Sequence, residues 1–155
     1  PYEGAIPTKA VAAVAERLVA MGIKELSLGD TIGVGTPGTI RPMLKTVREA
    51  VGPEITLAGH YHDTYGQALS NILASVEDGL RVFDSSVAGL GGCPYAPGAG
   101  GNVPTEDVVY MLGDMGFEIG VDLEALVDIG HWICQEIDRS NGSRVTRAMV
   151  ARDAE

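Results

Sequence analysis

The sequence predicts a parallel α/β fold, in which short buried strands alternate with amphipathic helices. Three short apolar segments, each followed by a polar or glycine-containing turn, lie at residues 24–28, 55–58 and 81–87. Their ends at Asp30, His60 and Ser86 fall roughly 26–30 residues apart. A unit of strand, turn and helix has about that length. The spacing therefore predicts repeated strand–helix units joined by right-handed crossovers.

Helical patterns fill the segments around these strands. Apolar residues recur there at spacings of three and four, which places them on one face of a helix. The predicted helices cover about residues 8–21, 37–51, 66–77, 105–115 and 122–139. Polar residues that favour helix N-caps stand at Thr8, Thr36, Thr105 and Asp122. The predicted apolar side of the last helix consists of Leu126, Ile129, Ile133 and Ile137.

Periodicity alone leaves an open sheet and a closed barrel as alternatives. A closed barrel needs eight strand–helix units over about 250 residues. This chain has three clear units and room for a fourth short strand near residues 101–103. The tail after Ser140 has weak patterning and no predicted element. Four units cannot close a barrel by themselves.

Length and charge limit the classes of function. A chain of 155 residues with 45% hydrophobic residues can build the core of one domain. Its net charge is -10 and it has no basic run, so we expect neither a nucleic-acid partner nor an anionic membrane surface. No apolar stretch approaches the ~20 residues of a spanning helix, and no signal-peptide pattern opens the chain. We therefore expect a protein of a reducing compartment that is not secreted.

The pair His60 and His62 carries the main chemical signal. In a strand, residues two apart share one face, so both imidazoles would project the same way and could bind one metal ion. The pair follows an apolar run and precedes Asp63 and a helical pattern. That order places it at the C-terminal end of a strand, where α/β enzymes hold their sites. Two strand histidines that form only hydrogen bonds are the alternative.

Asp30 and Asn102 are expected at the same end of the sheet. Asp30 could line a site and relay a proton, or it could simply cap its own turn. Thr31 and the glycines after it would form a tight loop that lets a substrate approach the backbone. The amide oxygen of Asn102 is a ligand suited to Mg²⁺ or Mn²⁺, although an ordinary loop asparagine is the alternative. Two imidazoles and one amide leave a shell that still lacks a carboxylate.

Cys93 lies in a glycine-rich loop that spans residues 89–101. A thiol on a loop that could move over a site can act as a general acid or base, whereas an inert linker cysteine is the alternative. The loop lacks the GK[ST] ending of a phosphate-binding P-loop. Cys134 falls within a helical apolar pattern and is predicted to lie in the core. Three polar residues at a strand end could line the pocket or serve the structure alone: Asp84, Ser85 and Ser86.

Three segments together resemble the 3-hydroxy-3-methylglutaryl-CoA lyase family. They are LGDTIGVGTPG from Leu28, HYHDTYGQALSN from His60, and SVAGLGGCPYAPGAGGN from Ser86. The likeness runs from the opening PYEG to about Arg147, and the cysteine loop is its specific part. The His-x-His pattern alone is shared with relatives that perform Claisen condensations or aldol cleavages. The resemblance implies a metal-dependent TIM-barrel lyase that converts 3-hydroxy-3-methylglutaryl-CoA to acetyl-CoA and acetoacetate, a reaction of leucine degradation and ketone body formation.

The resemblance also implies roles for individual residues. His60, His62 and Asn102 would bind the divalent cation, Mg²⁺ or Mn²⁺. Cys93 would be the catalytic thiol and Asp30 a catalytic carboxylate, and His60 would also take part in proton transfer. Further residues of the substrate loops would be Thr31, Gly89, Gly91 and Gly92.

The resemblance covers only the C-terminal half of the barrel, about strands 5–8, as one domain over residues 1–155. The family's first strand carries an Arg–Glu pair and an aspartate that binds the metal, and it has no counterpart here. We therefore expect this chain alone to be inactive. It would be a piece of a longer chain, a proteolytic remnant, or a half that pairs with another copy in a homo-oligomer. The expected compartment is the cytoplasm in bacteria or the mitochondrial matrix in eukaryotes.

Two other interpretations of function remain. One is a related lyase or aldolase that acts on another 3-hydroxyacyl-CoA or on a 2-keto acid, because part of the acyl specificity would depend on residues outside this chain. The other is a non-catalytic fragment that binds metal or self-associates.

Overall fold

A computed structural model of the chain describes residues 4–92 and 101–152. In chain order the elements are α1 (Thr8–Ala20), β1 (Glu25–Asp30), α2 (Pro37–Val51), β2 (Thr56–Tyr61), α3 (Ala68–Glu77), β3 (Val82–Asp84), a 3₁₀ turn (Val87–Gly89), α4 (Thr105–Asp114), α5 (Leu123–Glu136) and α6 (Arg144–Arg152). None of the helices in these two ranges is both long enough and apolar enough to cross a membrane.

The sheet confirms the predicted parallel α/β class. Its strand order is β1-β2-β3, and both neighbouring pairs are parallel. Two parallel neighbours need a connection that brings the chain back to the end of the sheet where the first strand began. Helices α2 and α3 provide those connections. The register sets Gly29, His60 and Asp84 level with one another across the three strands. The predicted functional residues of the strands are therefore brought to the same end of the sheet.

The two faces of the sheet have different surroundings. Leu26, Leu28 and Leu57 belong to the hydrophobic core that the sheet forms with α1 to α4. Ser27, Gly29 and Asp84 are exposed on the opposite face, because side chains alternate along a strand. In the described part of the chain, much of that second face is open, although Ala58 of β2 on the same face is buried.

The predicted fourth strand is reduced to two isolated bridges. Asn102 pairs with His62 in antiparallel fashion, and Pro104 pairs with Ser86 in parallel fashion. Pro104 has no backbone N–H to donate, so a regular ladder cannot continue through it. The chain at residues 101–104 nevertheless lies beside the end of the sheet.

Two of the four predicted N-caps are confirmed. Thr36 is the N-cap of α2, where the Thr39 hydroxyl accepts the N–H of Thr36 at 3.0 Å, and the carboxylate of Asp122 accepts the N–H of Ala125 at 3.0 Å. The predictions at Thr8 and Thr105 are wrong. Each of these threonines is the first helical residue, and the extended residues before them are Pro7 and Pro104.

The predicted apolar side of α5 is wrong for two of its four residues. Ile129 and Ile137 are exposed, whereas the buried residues of α5 are Leu126, Val127, Gly130 and Cys134. A β-carbon at Gly130 would collide with the buried side chain of Glu106. The absence of a side chain at Gly130 therefore lets this side of α5 pack inward.

The tail after Ser140 contains a helix that its weak pattern did not indicate. Ser143 caps α6, since its hydroxyl accepts the N–H of Thr146 at 2.9 Å. The Ser143 hydroxyl also donates to the buried carboxylate of Asp107 at 2.6 Å. Asp107, 36 residues away in the chain, thus helps to hold the first turn of α6.

Candidate functional site

The two histidines lie at the C-terminal end of β2, as predicted. His60 is in the strand, and His62 follows its last residue. Their Nε2 atoms are 3.2 Å apart, and their ring centroids are separated by 5.0 Å. The rings therefore converge. His60 is partly exposed, whereas His62 is buried with 8% of its surface accessible.

The 3.2 Å between the Nε2 atoms is a hydrogen-bond distance, which is the alternative that the sequence left open, and it also fits a shared cation. Two nitrogens that each lie about 2.1 Å from one ion, at right angles, are about 3.0 Å apart. The Nδ1 atom of His62 is buried and has no hydrogen-bond partner among the described residues. That nitrogen can carry the ring proton and leave Nε2 free to bind.

Asn102 is held beside the pair. Its backbone bridges to His62, and its Nδ2 atom donates to the carbonyl oxygen of Leu90 at 3.1 Å. This hydrogen bond leaves the amide oxygen available as a ligand. Residues 4–92 and 101–152 contain no cluster of three His, Cys, Asp or Glu side chains that could hold a metal. A cation shell here would therefore combine the two imidazoles, this amide and groups from elsewhere.

Asp30 caps its own turn in the structure. Its Oδ1 atom accepts the N–H of Val34 at 3.1 Å, and its Oδ2 atom accepts the N–H of Gly35 at 2.9 Å. This is the alternative role that the sequence left open, and a catalytic role stays a prediction. Asn71, fully buried on α3, donates to the carbonyl oxygen of Gly35 at 3.0 Å. The loop that contains the exposed Thr31 is thereby fixed between β1 and α3.

The glycine-rich loop is described only at its two ends, and Cys93 lies outside the described residues. Gly89, Gly91 and Gly101 have positive φ angles of 65°, 126° and 80°. A β-carbon at Gly101 would lie 3.2 Å from the carbonyl oxygen of Gly91, so the two ends of the loop are close together. Gly92 continues the chain from Gly91 toward Cys93.

Sequence reasoning missed Glu106, which supports the start of this loop. Its side chain is fully buried and accepts the N–H of Ala88 at 2.9 and 3.0 Å. Ala88 has a φ of 55°, which is uncommon for a residue with a side chain. Burial raises the pKa of Glu106 above its ordinary value, while the N–H of Ala88 opposes that rise. The acidic pair after Thr105 resembles an ordinary helix start, so its burial had no sequence signal.

Of the other chemically active residues, Cys134 and His131 lie on α5, and Asp84 lies beside the histidine pair. Cys134 is buried on α5, which confirms its predicted place in the core, and burial raises the pKa of its thiol. His131 forms a hydrogen bond with Gln135 on the exposed side of α5. Asp84 lies against His60, and Ser85 is bonded to Thr105 at 2.9 Å.

Comparisons with known proteins identify relatives of this chain. Residues 1–133 match the family model described as HMGL-like. A Pseudomonas aeruginosa relative, named 3-hydroxy-3-isohexenylglutaryl-CoA/hydroxy-methylglutaryl-CoA lyase, is 56% identical over 98% of this chain and 50% of its own length. The mitochondrial hydroxymethylglutaryl-CoA lyase of Mus musculus is 55% identical over 96% of this chain and 45% of its own length.

A solved structure shows the same likeness. The crystal structure of hydroxymethylglutaryl-CoA lyase from Pseudomonas aeruginosa matches with a TM-score of 0.92 at 56% identity, over 98% of this chain and 50% of that one. This chain thus spans about half the length of the relatives it matches. Lyases of this kind depend in general on a divalent metal. On the match of residues 1–133 and the identity to these lyases, the chain belongs to the HMGL-like family.

Proposed function

We propose that this chain is the C-terminal half of a TIM-barrel lyase that cleaves 3-hydroxy-3-methylglutaryl-CoA to acetyl-CoA and acetoacetate. The observation that carries the proposal is the pair of Nε2 atoms 3.2 Å apart at the C-terminal ends of parallel strands, in a chain of this family. TIM-barrel enzymes hold their chemistry at that end of the strands.

The open face of the sheet supports the assignment to half a barrel. In a closed barrel one face of each strand turns inward and the other packs against the outer helices. Here the leucines of β1 pack under the helices, while Ser27 and His60 lie on the other face. Four further strand–helix units would turn that face into an interior.

The residues that would hold the cation are His60, His62 and Asn102, with a carboxylate from the half that this chain lacks. Either Mg²⁺ or Mn²⁺ suits this mixture of nitrogen and oxygen ligands. When bound, such a cation would polarise the substrate oxygens and stabilise the negative charge that develops on them.

The chemistry of the cleavage defines what the protein groups must do. A base removes the proton of the C3 hydroxyl, the C3–O bond becomes the ketone of acetoacetate, and the C2–C3 bond breaks. Its electron pair passes to C2 and the thioester as an enolate, which a proton donor converts to acetyl-CoA. We assign the donor role to Cys93.

A chimera tests the proposal. This chain would replace the matching half of the Pseudomonas aeruginosa relative, to which it is 56% identical. We expect acetoacetate formation that requires Mg²⁺ or Mn²⁺. Cys93→Ala should lower kcat by about 10²–10⁴-fold, the range for loss of a general acid. Cys134→Ala, a buried cysteine on α5, is the matched control and should retain activity.

The outcomes separate the possible functions. A folded chimera that binds Mn²⁺ but forms no acetoacetate would favour a non-catalytic role for this half. Full activity of Cys93→Ala would remove the thiol from the mechanism.

A second substrate is favoured by one specific observation. The name of the Pseudomonas aeruginosa relative includes 3-hydroxy-3-isohexenylglutaryl-CoA, a thioester with a longer branch at C3. We therefore propose that the chimera be compared on both thioesters. A higher kcat/KM on the longer one than the unmodified Pseudomonas aeruginosa enzyme shows would assign that preference to this chain.

A further inference from the structure

We propose that Asp84, supported by Ser27, is a positioning residue that fixes the ring of His60 for metal binding. The inference rests on the proposed function, because it concerns the same histidine. It adds two residues that touch neither the cation nor the substrate in this assignment. Both residues would act through the imidazole of His60, which lies between them and the candidate site.

Three adjacent strands build this contact. The Oδ2 atom of Asp84 on β3 accepts hydrogen bonds from Nδ1 of His60 on β2, at 3.1 Å, and from the hydroxyl of Ser27 on β1, at 3.2 Å. The strand register sets His60 level with Asp84. Ser27 lies two residues before Gly29, which is also level with His60, so all three side chains share one face.

The chemistry of the acceptor selects one form of the ring. An ionised carboxylate can only accept hydrogen bonds, so Nδ1 of His60 must carry the proton. In the neutral ring the lone pair is then on Nε2, the atom that faces His62 at 3.2 Å. Asp84 therefore presents the ligand nitrogen of His60 toward the shared position.

The two histidines differ in how they are held. His62 is buried, and packing can fix its ring. His60 has 36% of its side chain exposed, so the protein interior encloses it much less. An exposed imidazole needs an orienting hydrogen bond to keep one tautomer and one ring orientation. Asp84 supplies that bond, and the Ser27 hydroxyl holds the carboxylate in place.

The test uses the chimera with the Pseudomonas aeruginosa half and two independent measurements. The first is the ¹⁵N spectrum of the His60 ring without metal, at about pH 8, where an ordinary imidazole is neutral. The second is the dissociation constant for Mn²⁺. Asp84→Ala should change the ring from one tautomer to a mixture and weaken Mn²⁺ binding about 10–100-fold, the usual effect of removing such a partner.

Two further variants and one control separate the effect on His60 from a general loss of stability. Asp84→Asn preserves shape, and its amide can pair with either tautomer, so we expect a mixed tautomer in a protein that folds normally. Ser27→Ala should change the tautomer and the Mn²⁺ affinity in the same direction as Asp84→Ala, but by less. Asp114→Ala removes an exposed carboxylate at the end of α4 and serves as the charge control, with no change expected in either measurement.

Each result has a defined meaning. An unchanged His60 tautomer and an unchanged Mn²⁺ affinity in both Asp84 variants would overturn the inference. If the unmodified chimera binds no Mn²⁺, the proposed metal site fails, whereas the ring spectrum still decides whether Asp84 sets the tautomer.

Discussion

Gly91 illustrates how the candidate site depends on the absence of a single β-carbon. A β-carbon there would lie 2.6 Å from Nδ2 of Asn102, which is shorter than a normal contact. The φ of 126° is also one that residues with side chains rarely adopt. The same amide donates to the carbonyl oxygen of Leu90. Gly91 therefore leaves the space in which Asn102 is held beside His62.

We predict that Gly91→Ala destabilises the protein by about 1–3 kcal/mol, the usual cost of an unfavourable backbone conformation. Gly92→Ala is the matched control, because no heavy atom of the described residues lies within 4 Å of a β-carbon at Gly92 and its φ is not in the positive region. Its effect should stay within about 0.5 kcal/mol. Urea unfolding of the chimera measures both free energies, and equal effects of the two substitutions would contradict the assignment.

At the scale of elements, the packing of α5 on α4 is set by a small residue rather than by a row of large ones. A β-carbon at Gly130 would overlap the Oε1 atom of Glu106. The carboxylate in turn holds the N–H of Ala88 in the 3₁₀ turn after β3. The contact thus connects two helices to the start of the glycine-rich loop.

We predict opposite effects for two helical glycines. Gly130→Ala should lower the free energy of unfolding by about 1–3 kcal/mol, because the new methyl group displaces Glu106. Gly113→Ala on α4 should raise it by about 0.5–1 kcal/mol, since no heavy atom of the described residues lies within 4 Å there and alanine favours a helix. Thermal or urea unfolding of both variants checks the signs, and a stabilising Gly130→Ala would contradict this packing.

At the scale of the whole molecule, the described part of the chain exposes surfaces that a complete barrel would cover. The face with Ser27, Gly29 and Asp84 is largely open, and β1 and β3 are the outer strands of a three-stranded sheet. α1 packs mainly against α2, and its Val14 and Leu18 are exposed by 57% and 37%. Unpaired strand edges and exposed apolar groups favour association.

We therefore predict that the isolated 155-residue chain self-associates, and that joining it to the other barrel half suppresses this. Size-exclusion chromatography with light scattering at several concentrations measures the effect. The isolated chain should give a mass above 16.2 kDa that rises with concentration. A monomer that unfolds cooperatively and cleaves the thioester would contradict the assignment to half a barrel.

The sequence by itself determined the features that depend on neighbours along the chain. The strand–helix period, the position of His60 and His62 at a strand end, and the caps at Thr36 and Asp122 are all local. They follow from side-chain periodicity and from hydrogen bonds that span only a few residues. The family followed too, because its motif segments are contiguous.

Only the tertiary structure decided which distant groups meet. Asp84 is 24 residues from His60 and 57 from Ser27, and the parallel register alone brings them together. Glu106 is 18 residues from Ala88, and its contact with Gly130 accompanies a buried side of α5 that differs in part from the one that the apolar pattern indicated. Such contacts depend on how whole helices and strands pack against one another. Many sequences with the same periodicity would pack these elements differently. The side chains around the candidate site are therefore properties of the fold rather than of any one segment.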